Sequence, residues 1–220
     1  MTLRTRDRAR GTARAVPDSR PRRLMMALAL GLGLITLLAA AQAARAASWT
    51  LDGSPSFVSF ASIKAKDIGE VHSFGALSGS VAEDGTATVT IDLASVNTGI
   101  DIRDERLRTE LFHIDQFPAA TITAPVPLDG LSDLAVGESA ERDVTATLDL
   151  AGESHDLAVP LLVTRLSETR MMVQPLQLLI VQADDYALGD GIGTLREIAG
   201  LSEISHAVPV TFLLVFEHTP

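Results

Sequence analysis

Five histidines are the side chains best suited to chemistry in this 220-residue chain, which contains no cysteine. His72, His113, His155, His206 and His218 lie far apart in the sequence, without the i, i+4 or three-to-five-residue spacings that zinc sites use. Most of them are read as surface or turn residues, and a site assembled from distant His and carboxylates is the alternative that would make the protein an enzyme. Nucleophile motifs are absent too: there is no G-x-S-x-G, and Gly53-Ser54 and Gly79-Ser80 sit in turn or strand contexts without a strand-to-helix elbow. Gly189, Gly191 and Gly193 superficially resemble a phosphate loop, but no Gly-Lys-Ser/Thr follows and Asp184, Asp185 and Asp190 would repel phosphate. Those aspartates also lack the alternation of a calcium loop. The segment reads as a solvated loop, and no catalytic residue, metal or cofactor is expected.

The elements around these residues are mostly strands. Val89, Ile91 and Leu93 alternate with Thr88, Thr90 and Asp92, and Val144, Ala146, Leu148 and Leu150 alternate with Thr145, Thr147 and Asp149, the period of a half-buried strand. Similar stretches run over 48–51, 56–62, 69–82, 119–128, 155–164, 171–183 and 206–217. Turn signals such as Glu83-Asp84-Gly85, Asp129-Gly130 and Ala151-Gly152-Glu153 separate them. About eight strands joined by short polar turns suit an all-β antiparallel barrel or a sandwich, and closure into a barrel is the expected outcome. The last strand is apolar on both faces, with Val210, Phe212, Leu214 and Phe216 on one and Val208, Leu213 and Val215 on the other, so both must be covered. Two segments are helical: 103–111, with Asp101 as N-cap and i, i+4 pairs Asp104/Arg108 and Arg106/Glu110, and 192–200, ending at Gly200. A barrel of this size either fills its interior or encloses one small ligand. Its seven phenylalanines are compatible with both.

Charge divides the chain. Nine of the 18 Lys and Arg precede Ala47, against only Asp7 and Asp18, so residues 47–220 carry nine basic and 26 acidic side chains, about −17. An uncharged run from Leu24 to Ala44 follows Arg23; its bulky part is broken by Gly31 and Gly33 and fades into alanines, as a signal peptide does. The expectation is a removable leader at 1–46, cleaved after Ala46 of the Ala44-Arg45-Ala46 site, and one domain at 47–220. An uncleaved anchor is the alternative. Arg22-Arg23 allows a twin-arginine route, although its surroundings fit general secretion better. The compartment is then periplasmic or extracellular, where a domain without cysteine is stable through burial alone. The acidic surface argues against nucleic acid as a partner.

Asn97-Thr98-Gly99-Ile100-Asp101-Ile102-Arg103-Asp104-Glu105-Arg106-Leu107-Arg108-Thr109, then Phe112, Phe117-Pro118 and Ile122, together with Trp49-Thr50-Leu51-Asp52, Val58, Phe60 and Leu77-Ser78-Gly79, resemble the YceI-like proteins across nearly all of 49–216. Gly53-Ser54, Arg106 and His113 depart from that family's pattern. The resemblance implies an exported lipocalin-like barrel of about eight strands with one or two short helices, binding a long-chain isoprenoid or quinone-like lipid without catalysis. It shifts the balance from a filled core to an apolar tunnel. The inward residues expected to bind the tail are Phe60, Phe74, Val89, Ile91, Leu107, Leu111, Phe112, Phe117, Ile122, Leu148 and Phe212. Arg103 and Arg108 are the candidates for a polar or anionic head at the barrel mouth. The reading allows transient membrane contact and a homodimer, and keeps a structural, partner-binding barrel with a filled core as its alternative.

Overall fold

A computed structural model describes residues 47–218; the leader expected at 1–46 lies outside them. Eleven strands follow one another, β1 (Ala47–Lys64), β2 (Ile68–Phe74), β3 (Leu77–Ala82), β4 (Thr86–Asp92), β5 (Val96–Asn97), β6 (Ala119–Pro125), β7 (Ser139–Leu150), β8 (Glu153–Arg165), β9 (Arg170–Pro175), β10 (Leu179–Gln182) and β11 (Ala207–Glu217). They form one sheet in the order β10-β11-β9-β8-β7-β6-β4-β3-β1-β2-β5, and the additional pairing of β11 with β1 closes it. The closed circuit is eight-stranded and antiparallel: β1, β3, β4, β6, β7, β8, β9 and β11. Closure leaves no free edge along the circuit itself, on which an open sheet would aggregate; only the short β10 and β5 end the sheet.

Strand β1 makes the closure possible because it is long enough to serve two neighbours in turn. Its start pairs with β3, Trp49 opposite Val81, and its end pairs with β2, Lys64 opposite Ile68. On the other side it runs along β11 with an irregularity between Asp52 and Phe57. At that bulge Ser56 Oγ accepts the Val215 N–H at 2.9 Å, and Val215 is buried. Val208 belongs on the inner face with Val210, not on the outer one where the sequence reading put it.

Inward positions follow the alternation read from the sequence. Val89 pairs with Ile122, Ile91 with Ala120 and Ala87 with Ala124 across β4 and β6, and Ile122 pairs with Leu148 across β7. The expected strands 69–82 and 171–183 each break in two. Gly75-Ala76 turns the chain so that β2 and β3 flank different halves of β1, and residues 176–178 separate β9, which pairs with the end of β11, from β10, which pairs with its start.

Two helices lie at one end of the barrel. Helix α1 (Asp101–Arg106) passes directly into a wider π-helical stretch, Leu107–Phe112, that stops at His113 in a left-handed conformation, φ 49°. Ile100, not Asp101, is the N-cap, without a side-chain bond. Asp104 turns away from Arg108 and takes the Thr98 backbone N–H at 2.8 Å and the Thr98 hydroxyl. Helix α2 (Gly189–Ala199) starts three residues before the expected segment and closes at Gly200, φ 65°. Gly191 lets α2 approach the π-helical stretch: a Cβ there would stand 2.5 Å from the Glu110 carbonyl oxygen.

Candidate functional site

The barrel encloses a cavity of about 610 Å³ that runs from Trp49, Leu131 and Met171 at one end to Ser62, Lys64 and Arg103 at the other. The volume falls within the roughly 300–1,000 Å³ of small-molecule sites. It exists because several inward positions are small. Ala87 and Ala124 face each other across β4 and β6, Ala146 follows on β7 and Ala120 lies further along β6, all lining the space. A filled barrel of this size would carry leucine or phenylalanine at some of these positions.

Ten of the expected tail residues line this cavity: Phe60, Phe74, Val89, Ile91, Leu107, Leu111, Phe112, Ile122, Leu148 and Phe212. Phe60 and Phe74 stack with centroids 5.3 Å apart, and Phe74 meets Phe112 at 5.9 Å. Phe117 is not among the lining residues. Its ring lies over the β7–β8 turn, where a Cβ on Gly152 (φ 89°) would be 3.0 Å from it.

The two arginines separate. Arg103 lines the cavity; Arg108 does not, because its guanidinium bonds the Ala94 carbonyl at 2.8 Å and reaches Glu105 at 3.5 Å on the surface. The Asp104/Arg108 pairing that was expected is therefore replaced by Glu105/Arg108. Arg106 points where Arg108 was expected to, into the cavity lining.

Polar groups gather at one end. Glu70 Oε2 accepts from Lys64 Nζ at 2.8 Å and from an Arg103 terminal nitrogen at 2.6 Å, and the other terminal nitrogen of Arg103 donates to the Thr98 carbonyl at 2.7 Å. The hydrogen bond from Lys64, and then the charge and hydrogen bond of Arg103, hold the Glu70 carboxyl below its ordinary 4.5, outweighing the opposing effect of burial. His72 is 5% exposed and bonds Ser62 Oγ through Nε2 at 2.8 Å. Burial first, and the Arg103 charge second, lower its pKa from the ordinary 6.5, so it stands neutral at neutral pH. Two buried nitrogens here, Arg103 Nε and His72 Nδ1, have no hydrogen-bond partner.

The charge distribution inverts that of the surface. Of nine basic residues after Ala46, three line the cavity (Lys64, Arg103, Arg106), whereas of 26 acidic residues only Glu70 does. The sequence reading missed His72, Lys64, Glu70 and Arg106 and placed most histidines outside. Period-two alternation from Phe74 back through His72 to Glu70 was the signal available for the β2 pair, since it puts both on the inward face. Among the described residues, no group of three or more His, Asp or Glu is placed to hold a metal ion. Ser62 and His72 form the first contact of a nucleophile–base pair, but no carboxylate orients the far ring nitrogen, as a catalytic triad requires.

A closed antiparallel eight-stranded barrel around a long apolar cavity defines a lipocalin-like protein. Within that class the chain belongs to the YceI-like family, whose domain profile matches residues 49–216. A solved polyisoprenoid-binding domain from Saccharophagus degradans, described as implicated in plant cell wall breakdown, superimposes with a TM-score of 0.77 and 46% identity over 79% of this chain and 99% of that one. Burkholderia cenocepacia BcnA shares the fold, with a TM-score of 0.59 and 22% identity over 75% of this chain and 98% of that one. Comparison with curated protein sequences finds no match.

Proposed function

We propose that the barrel binds and carries a long-chain isoprenoid-type lipid, tail inward, without catalysing a reaction on it. The observation that carries this reading is the cavity itself: about 610 Å³, apolar along its length and polar at one end. Each methylene moved from water into such a space contributes about 0.8 kcal/mol, so affinity comes from length. The polar end suits a head that accepts hydrogen bonds, with Arg103, Arg106 and neutral His72 as donors; a quinone-like carbonyl or an anionic group both meet that requirement. The polyisoprenoid-binding description of the Saccharophagus degradans domain supports the same tail chemistry.

The chain's one tryptophan, Trp49, lines the end opposite the polar cluster. A polyprenol added from detergent should change Trp49 fluorescence saturably, and a short prenol should not. No response to any chain length would refute tail binding. We further propose that residues 1–46 direct export, which places the carrier in the periplasm or outside the cell. Cell fractionation tests this, with intact protein retained in the cytoplasm as the contrary result.

A further inference from the structure

Strands β10, β11, β1 and β2 lie side by side in that order and form one wall of the barrel. Directly opposed residues of an antiparallel pair point to the same side, so the register shows which outer side chains adjoin. Ile180 lies opposite Pro209 and Leu213 opposite Phe57. Thr211 lies opposite Ser59, and Ser59 opposite Ser73, two residues along the same face from Val71. The row from Thr211 to Ser73 ties three strands together and Ile180 adds the fourth, so the outer side chains make one continuous surface.

That surface is open and uncharged. Val71 is 76% exposed, the most of any large apolar side chain among the described residues, and Ile180 (47%) and Phe57 (42%) are exposed as well. Alternation turns thirteen residues outward over 57–63, 69–73, 180–182 and 207–213, and none of them is Asp, Glu, Lys, Arg or His. Yet one residue in five of 47–220 is charged, and only Lys64, Glu70, Arg103 and Arg106 of these line the cavity. Strands β7 and β8 show the usual soluble pattern instead, with Glu141, Asp143, Asp149 and Asp156 exposed.

We infer that this wall is the contact surface for a second copy of the chain. Two domains of about −17 each repel wherever charged faces meet, and here they meet without opposing charges. A bilayer is the poorer occupant, because the outward positions offer no Lys or Arg to anionic headgroups. Identical sheets also share one twist, which suits packing face to face at about 10 Å. Four strands about 4.8 Å apart, over seven residues of about 3.3 Å each, give a wall on the order of 400 Å² per copy. Doubled, this stays below the roughly 1,200 Å² of stable complexes, so the dimer is reversible. The wall's inner side lines the cavity, with Val71 between Glu70 and His72, but the contact does not depend on what the cavity holds.

Sedimentation velocity of the purified protein over a concentration series tests this. Val71→Glu and Ile180→Glu are the wall variants, and Val136→Glu, at a residue 62% exposed in the β6–β7 connection, is the control. All three positions are exposed, and the second wall variant serves if the first fails to fold. In a two-fold pair each substitution occurs twice, so each wall variant should weaken dimerisation on the order of a hundredfold, while Val136→Glu matches wild type. Raising salt from about 0.02 M to about 0.3 M should tighten the wild-type dimer, because it screens the repulsion between the bodies and the wall has no ion pair to weaken. A wild type still monomeric at about 500 µM in the higher salt, a dimer that weakens with salt, or dimerisation untouched by both wall variants overturns the inference. So does an equal loss in the control. Flotation of a monomeric wild type with phosphatidylcholine vesicles, abolished by Val71→Glu, overturns it too, by giving the wall to a bilayer.

Discussion

Substituting Ala146 by Phe separates an empty, ligand-sized interior from a filled core. Ala146 is 4% exposed, faces the cavity from β7 and lies beside the paired alanines Ala87 and Ala124. In a close-packed core, inserting a phenyl ring forces neighbours off their rotamers at a cost of about 1–3 kcal/mol. In this barrel the ring enters open apolar space and its own burial contributes up to roughly 2 kcal/mol. At about 2–4 °C per kcal/mol for a domain of this size, the thermal midpoint of the ligand-free variant should hold or rise. Binding should move the other way. The ring displaces at least one five-carbon unit of a bound tail, worth about 4 kcal/mol at roughly 0.8 kcal/mol per methylene, or on the order of a thousandfold in Kd. Calorimetric melting and Trp49 titration with a polyprenol read the two quantities. A midpoint lowered by several degrees with affinity intact would refute the reasoning, because it would mean that the interior is packed and that the lipid binds elsewhere.

Three further outcomes follow from the site. Arg103→Met should weaken binding of a lipid with a hydrogen-bonding head about ten- to a hundredfold, the worth of a charged hydrogen bond, while Arg108→Met, outside the cavity, should leave the titration unchanged. Lowering the pH below 6.5 should destabilise the fold. The pKa of His72 is depressed by burial, so the unfolded chain binds the proton more readily, and stability present above the unfolded value is lost as pH falls through the folded one. Urea midpoints against pH should show this slope in wild type and a shallower one in His72→Gln; Glu70, also depressed, adds loss of the same sign only below about its ordinary 4.5. Gly191→Ala should cost about 1–3 kcal/mol by overpacking, because its Cβ would stand 2.5 Å from the Glu110 carbonyl oxygen and 3.1 Å from Cδ1 of the cavity-lining Leu111, and should lower the melting midpoint.

Most of the barrel was legible in the sequence because its inward residues recur with a period of two, and such alternation has one dry face whatever the topology. Val89, Ile91, Ile122 and Leu148 are placed by that argument alone. The helix placed the arginines less well. A regular α-helix puts Arg108 near Asp104 (i, i+4), but the chain changes to π-helical winding at Leu107, and Asp104 is claimed by Thr98. Those two local events leave Arg108 on the surface, where Glu105 and the Ala94 carbonyl receive it, and Arg106 over the cavity. His72 was misplaced for a different reason. A lone histidine is usually exposed, and only its register with Phe74 and Glu70 on β2 marks it as inward. The cavity depends on alanines, whose small size gives no hydrophobic signal of a void; Ala87 and Ala124 acquire meaning only once β4 and β6 are paired.

The central claim is that this interior holds a long apolar lipid. Mass spectrometry of the organic extract of protein purified from a bacterial host tests it most directly. The account expects one class of long-chain lipid, near one molecule per chain, lost in Ala146→Phe. An extract free of such lipid, from protein whose Trp49 fluorescence is also unmoved by added polyprenol, would contradict it.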